Sequence, residues 1–206
     1  SREFEELIKL VQRFAGTQLN LLFCGETGTG KEMLARLAHD LSGVKGSFEG
    51  VNCAAIPPTL FETHLFGSVE GAFSGASHNA IGFFEKAAHG TLLLDELGEV
   101  DAQLQSKLLR VLQERQYFRV GETESRPAEA RVMVATTREP YGDEEGLRPD
   151  LLARIEDCIL RIPPLVERKL DILPVVELVL SKRGVSWRAL GPDFVERLLC
   201  YSWPRN

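Results

Sequence analysis

Residues 25–32 read Gly-Glu-Thr-Gly-Thr-Gly-Lys-Glu, GETGTGKE, and the reading of this octapeptide decides the fold. Its glycines and lysine follow the spacing of a phosphate-cradling loop, in which backbone N–H groups face the phosphates and the lysine reaches the β- and γ-phosphates. In that pattern Ser or Thr follows the lysine and ligates magnesium, whereas here the position is Glu32. Glycine-rich turns alone are often only turns, so the neighbours decide. Upstream, residues 19–24 form a short apolar run that reads as a buried strand. Downstream, Leu34, Leu37, Ala38 and Leu41 fall at helical spacing. Strand, glycine loop and helix N-terminus, in that order, is the arrangement a phosphate loop requires.

Working outward, residues 3–14 read as an amphipathic helix with Leu7, Ile8, Leu10, Val11 and Phe14 on its apolar side. Residues 48–53 read as a second strand, and Pro57 and Pro58 open a helix with a possible Thr59 to Glu62 capping box. Three further strands are expected over 91–95, 131–136 and 158–162. Leu104, Leu108, Val111 and Leu112 mark a helix between the first two of these. Buried strands alternating with helices imply an α/β domain, a mostly parallel five-stranded sheet covered on both faces. The polar stretches 121–130 and 138–149 lack an apolar period and read as surface loops. After Pro163 and Pro164 only helical patterns remain, around 172–180 and 194–201, the expected start of a small helical subdomain.

The chain has 206 residues, 44% hydrophobic and 26% charged, enough for one large domain or a domain with an appendage. A net charge of −6 is the wrong sign for a protein whose main task is gripping nucleic acid. Cys24, Cys53, Cys158 and Cys200 form no C-x-x-C pair and read as reduced, packed thiols of a cytoplasmic protein. His39, His64, His78 and His89 share no metal spacing, and no membrane span or signal peptide is apparent. The start at Ser1 and the stop at Asn206 in mid-pattern lead us to expect an excised fragment.

In an open parallel sheet ligands bind beyond the carboxyl ends of the strands, so polar residues there are the candidates. Asp95 and Glu96 close an apolar strand, where one carboxylate can hold Mg²⁺ and the other orient and polarise water. Thr136 and Thr137 close another, with hydroxyls suited to sensing a γ-phosphate. Either feature alone has a bland reading as a solvated loop. Together, at strand ends, they point to nucleotide binding.

Residues 71–76, Gly-Ala-Phe-Ser-Gly-Ala, have no use in phosphate chemistry. GAFSGA closely resembles the GAFTGA loop of the sigma-54-dependent transcription activators, the bacterial enhancer-binding proteins, whose central domain is an AAA+ ATPase. LLFCGETGTGKE, VNCAAIP, LFGSVEGAFSGA, GFFEKAAHGTLLLDELGE, LQSKLLRVLQE, RVGE, LRPDLLARI, IPPLVER and YSWP all resemble that family's blocks, in its order. The family's own phosphate loop reads G-E-S-G-T-G-K-E, so Glu32 is its usual residue. The resemblance implies a three-layer AAA+ sandwich over residues 1–166, followed by part of a helical lid over 167–206. It implies that Gly25, Glu26, Thr27, Gly28, Thr29, Gly30, Lys31 and Glu32 bind ATP, and that Asp95 and Glu96 are the Walker B pair, for Mg²⁺ and water. Asn52 matches the residue that holds the catalytic glutamate inactive, and Thr136 the sensor I position. Arg148 and Arg154 match arginines that reach a neighbouring subunit's γ-phosphate, which makes a homo-oligomeric ring, a hexamer in the family, part of the mechanism. Gly71, Ala72, Phe73, Ser74, Gly75 and Ala76 would contact sigma-54 RNA polymerase holoenzyme. DNA would be met only through a domain outside these residues.

The chain departs from the pattern at Ser74 for Thr, Thr137 for Asn, Phe83 for Arg, His89 and Arg205 for Gly, and at Pro149. Two readings follow. One is a mechanochemical ATPase acting on sigma-54 polymerase; the other is a regulatory assembly module that no longer activates sigma-54, supported only by Ser74 and Thr137. A small-molecule kinase fits poorly, since no acceptor pocket is visible.

Overall fold

The computed structural model describes residues 1–141, 146–186 and 191–206. Helix α1 (Arg2–Ala15) leads into β1 (Leu21–Cys24), the glycine loop and α2 (Lys31–Ser42). Then come β2 (Phe48–Asn52), α3 (Pro58–Phe66), a hairpin of β3 (Gly67–Ser68) and β4 (Ala80–Ile81), and α4 (Phe83–Lys86). Next are β5 (Thr91–Asp95), α5 (Ala102–Glu114), a ribbon of β6 (Gln116–Tyr117) and β7 (Arg126–Pro127), and β8 (Arg131–Thr136). Helix α6 (Pro149–Ile155), β9 (Cys158–Arg161), α7 (Ile172–Ser181) and α8 (Pro192–Cys200) complete the order. The five-stranded sheet runs β2-β5-β8-β1-β9, and every neighbouring pair in it is parallel.

Side chains alternate across a strand, and that alternation divides the apolar strands between the two faces. Leu21, Phe23, Leu93, Met133 and Ala135 pack beneath α1 and α2 with Leu7, Val11, Leu34 and Ala38. Leu22, Leu92, Leu94, Val132 and Val134 pack on the opposite face with Phe61, Leu65, Leu108, Leu112 and Leu151 from α3, α5 and α6. This is the three-layer α/β arrangement that continuous apolar strands require. Phe66, Phe84 and Tyr117 stack in the second layer with ring centroids 5.6 to 6.1 Å apart, which ties the two small ribbons to the main core.

The differences from the sequence reading are local. Strand β1 begins at Leu21 because residues 16–20 form an irregular link held from outside the sheet ladder: Arg131 donates to the carbonyls of Phe14 (3.0 Å) and Leu19 (3.0 Å), and Asn20 is fastened to Asp157. The capping box at α3 does not form. Pro57 takes the cap position without a side-chain bond, and Glu62 pairs with Lys107 on α5 instead. Residues 121–130 are not wholly a surface loop, since β7 lies within them and Ala128 and Ala130 are buried. Of the expected loop 138–149, residues 142–145 lie outside the described residues. Cys24 and Cys53 are buried free thiols as expected, Cys158 is partly covered, and Cys200 is exposed. Among the described residues no helix is long and apolar enough to cross a membrane.

Candidate functional site

The carboxyl ends of β1, β5 and β8 lie side by side, with Cys24 beside Thr136 and Asp95 beside Ala135. The glycine loop leaves β1 at this edge, and Gly25 N–H donates to the Thr136 carbonyl (3.2 Å). Gly28 (φ 83°) and Gly30 (φ 101°) are both in the left-handed region that side chains disfavour, which is why glycine is needed where the loop turns into α2. Thr29 closes the turn, its hydroxyl donating to the Glu26 carbonyl (2.7 Å). Lys31 opens α2 with its side chain only 7% exposed, and its ammonium donates to the carbonyls of Gly25 (2.8 Å) and Glu26 (3.3 Å). Glu32 turns outward to Arg36 (3.6 Å).

A cavity of about 530 Å³ opens here, lined by Thr27, Gly28, Gly30, Lys31, Glu32, Met33, Arg36, Asn52, Asp95 and Glu96. The sheet register brings Asn52 beside Asp95. Glu96 follows in a left-handed turn (φ 53°), and its N–H donates to Asp95 Oδ1 (3.1 Å). The Glu96 carboxylate lies 3.6 Å from Lys31 Nζ through Oε1, while Oε2 accepts from Thr137 N (3.1 Å) and Thr137 Oγ1 (2.9 Å). A buried lysine, loop amides and adjacent carboxylates around one recess suit a polyphosphate with a divalent cation. Among the described residues no cluster of three or more His, Cys, Asp or Glu forms a closed metal site. A cation here would draw most of its oxygens from phosphate and water, as Mg²⁺ commonly does.

Burial pushes the Asp95 carboxyl above its ordinary value, with repulsion from Glu96 second and attraction to Lys31 opposing. The folded state then binds this proton more readily than the unfolded state. Stability therefore falls as pH rises from the ordinary aspartate value of 3.8 through the raised one, and the ionised form is a net cost above that window. Asp95→Asn is accordingly expected to raise the thermal midpoint at pH 7 by a few degrees without nucleotide, and to reduce the loss of stability across that acid window. Thermal scans of both proteins over pH check this. Burial, then Asp95 and Glu96, pushes the Cys53 thiol up to about 12, so it is inert packing beneath the site.

The side chains of the other sequence candidates do not line this recess. Thr136 is buried at the end of β8, and its hydroxyl accepts from Arg138 N (3.1 Å). Arg148 faces outward in an ion pair with Asp150 (2.7 Å), and Arg154 donates to the Leu112 carbonyl at the end of α5 (3.1 Å). Residues 71–76 form the tip between β3 and β4, closed by Gly71 N–H to Ala76 O (2.9 Å) and Ala76 N–H to Phe73 O (3.0 Å). Phe73 is 45% exposed at that tip, outside either core cluster. Sequence reading missed a second, more apolar cavity of about 370 Å³ on the far side of the glycine loop, bounded by Phe4, Gly28, Leu165, Arg168, Pro174 and Val175. There Arg168 donates to the Thr29 carbonyl (2.8 Å) and lies over the Phe4 ring, while its buried Nε has no hydrogen-bond partner among the described residues. Gly28 belongs to the glycine loop and Leu165 and Arg168 to the IPPLVER block, but nothing local shows that they share a cavity with Phe4, Pro174 and Val175, which α1 and α7 bring to the loop.

A parallel sheet in the order β2-β5-β8-β1-β9, with a glycine loop after β1 and carboxylates after β5, defines an AAA+ fold. A closed-state reconstruction of Hsp104 shares it with a TM-score of 0.61 and 16% identity over 88% of this chain, a likeness of fold alone. The chain belongs to the sigma-54 interaction domain family, whose model matches residues 1–161. It is 41% identical over 98% of its length to the transcriptional regulatory protein FlbD of Caulobacter vibrioides, covering 46% of that protein. It is 42% identical over 100% of its length to the Nif-specific regulatory protein of Herbaspirillum seropedicae, covering 39% of it. NtrX from Brucella abortus in complex with ATP matches the whole chain with a TM-score of 0.89 and 31% identity, over 48% of the NtrX chain. The chain thus spans less than half the length of these relatives.

Proposed function

We propose that this domain binds ATP with Mg²⁺, hydrolyses it within a ring of identical subunits, and uses the cycle to press the 71–76 loop against sigma-54 of RNA polymerase. The observation that carries this reading is the meeting of Lys31, Asp95 and Glu96 in one recess at the end of a glycine loop. Loop amides and Lys31 bind the phosphates, and the apolar cavity by Phe4 and Arg168 takes the base. Mg²⁺, held through Asp95, phosphate oxygens and water, would neutralise charge on the phosphates. Glu96 orients a water whose oxygen bonds to the γ-phosphorus as the bond to the bridging oxygen breaks. The proton passes to Glu96, and ADP and phosphate leave. Thr136 stands at the sensor position, and Arg148 and Arg154 act on the neighbouring subunit's nucleotide.

Asn52 ends β2, and a single 3-10 turn and α3 connect it to the hairpin that bears Phe73. That short path is how nucleotide state reaches the loop, a two-state element biased by the γ-phosphate. In this reading residues 1–166 form the nucleotide-binding subdomain and 167–206 the beginning of its lid, and the work is done in the cytoplasm. Thr137, one of the two departures favouring a regulatory module, bonds Glu96, so it does not count as damage to the site.

The test separates hydrolysis from its use. Phe73→Ala is expected to keep ATP turnover within about twofold of the unsubstituted protein, because Phe73 lies outside both cavities, while its truncation removes an exposed aromatic anchor and most sigma-54 binding. Assay of sigma-54 capture and open-complex formation by the full-length protein decides. Unchanged capture by the variant would remove the loop from the mechanism, and absence of ATP hydrolysis by the unsubstituted protein would favour the regulatory module.

A further inference from the structure

We propose that Thr137 is the residue that aims Glu96 at the phosphate site, a positioning role that rests on the ATPase reading above. Strands β5 and β8 are paired so that Asp95 lies beside Ala135, and the chains leaving both strands emerge together. Glu96 takes a left-handed backbone (φ 53°, ψ 42°), a conformation that a residue with a side chain adopts when its surroundings hold it there. The turn carries its side chain to Thr137, where Oε2 accepts from both the backbone N–H (3.1 Å) and the hydroxyl (2.9 Å). With both donors on one oxygen, Oε1 is left facing Lys31 Nζ at 3.6 Å. A carboxylate pinned at one oxygen and directed by the other toward the phosphate-binding lysine has the orientation a general base needs.

Neither of the two neighbouring candidates, Thr136 and Asn52, does this work. The Thr136 hydroxyl accepts from Arg138 N (3.1 Å), and neither it nor the Asn52 side chain is bonded to Glu96, whose Oε2 takes its donors from Thr137. The N–H at position 137 is available whatever the side chain, so the hydroxyl is the part that depends on sequence. Without it Oε2 keeps one donor, and the carboxylate can rotate away from the site.

Thr137→Val removes the hydroxyl while keeping size and N–H, and Thr137→Ser restores it. The valine variant is expected to lower kcat for ATP by about 10- to 100-fold with KM and nucleotide affinity nearly unchanged, and serine to recover most of the loss. A valine kcat equal to or above that of the unsubstituted protein would overturn the proposal; a higher one would mean that Thr137 restrains Glu96. A readout independent of turnover is a double-mutant cycle of Thr137→Val and Glu96→Ala on urea unfolding without nucleotide. The unfolding constants should depart from multiplicativity by about tenfold, as for a hydrogen bond to a charged group. Independent effects would overturn the contact. If the unsubstituted protein binds ATP and never hydrolyses it, the ATPase reading falls while this cycle still decides Thr137.

Discussion

Arg148→Ala is expected to lower ATP turnover by roughly 10³- to 10⁵-fold, the range for an arginine supplied to a phosphoryl-transfer site, with nucleotide affinity and domain stability preserved. The expectation comes from where the side chain lies. Arg148 is 39% exposed and borders a surface recess formed with Gly98, Asp101 and Arg138, away from the cavity of its own Lys31. Its partner is Asp150 in the first turn of α6, an exposed pair worth little by itself, which a neighbour's phosphate could displace at small cost. Arg154 makes a useful contrast. Its bond to the Leu112 carbonyl satisfies the open end of α5, so Arg154→Ala should cost stability as well as turnover. Turnover per subunit against protein concentration, beside urea unfolding of both variants, checks the pair: a specific rate that does not rise on assembly would place the reaction within one subunit.

Glu96→Gln is expected to cut turnover by about 10²- to 10⁴-fold, the usual worth of a general base, while ATP still binds through Lys31 and the loop amides. The amide keeps the shape and retains one oxygen for the Thr137 donors, so the loss is the proton acceptor. Mixing the two inactive proteins gives the sharper result. On the proposed mechanism an Arg148→Ala subunit keeps the base and a Glu96→Gln subunit keeps the arginine, so a complete site would form at some interfaces of a mixed ring. Recovery of turnover on mixing, measured by phosphate release, is expected. No recovery at any ratio, in rings known to be mixed, would mean that Arg148 serves its own subunit.

Much of the fold was legible because its signals are local. The alternating apolar strands, the helix after Lys31 and the run ending at Asp95 each depend on periodicity within a few residues, and they appear where that periodicity puts them. Legibility failed where distant groups compete. Thr59 and Glu62 have capping-box spacing, yet Lys107 on α5 claims Glu62, and a salt bridge formed across the second layer is invisible in the local pattern. Leu19 reads as strand, yet Arg131 draws its carbonyl out of line.

The chain by itself determined the loop 25–32, the sheet that frames it, the Asp95 and Glu96 carboxylates at a strand end, and the 71–76 motif, because glycine conformation and side-chain alternation are properties of short stretches. Only the tertiary structure decided that Glu96 leans on Thr137, 41 positions away, with neither Thr136 nor Asn52 holding it, and that Phe4 and Arg168 wall a second cavity. Those outcomes depend on the register of β5 against β8 and on how α1 and α7 meet the loop. Such long-range pairings are settled by the packing of the whole core.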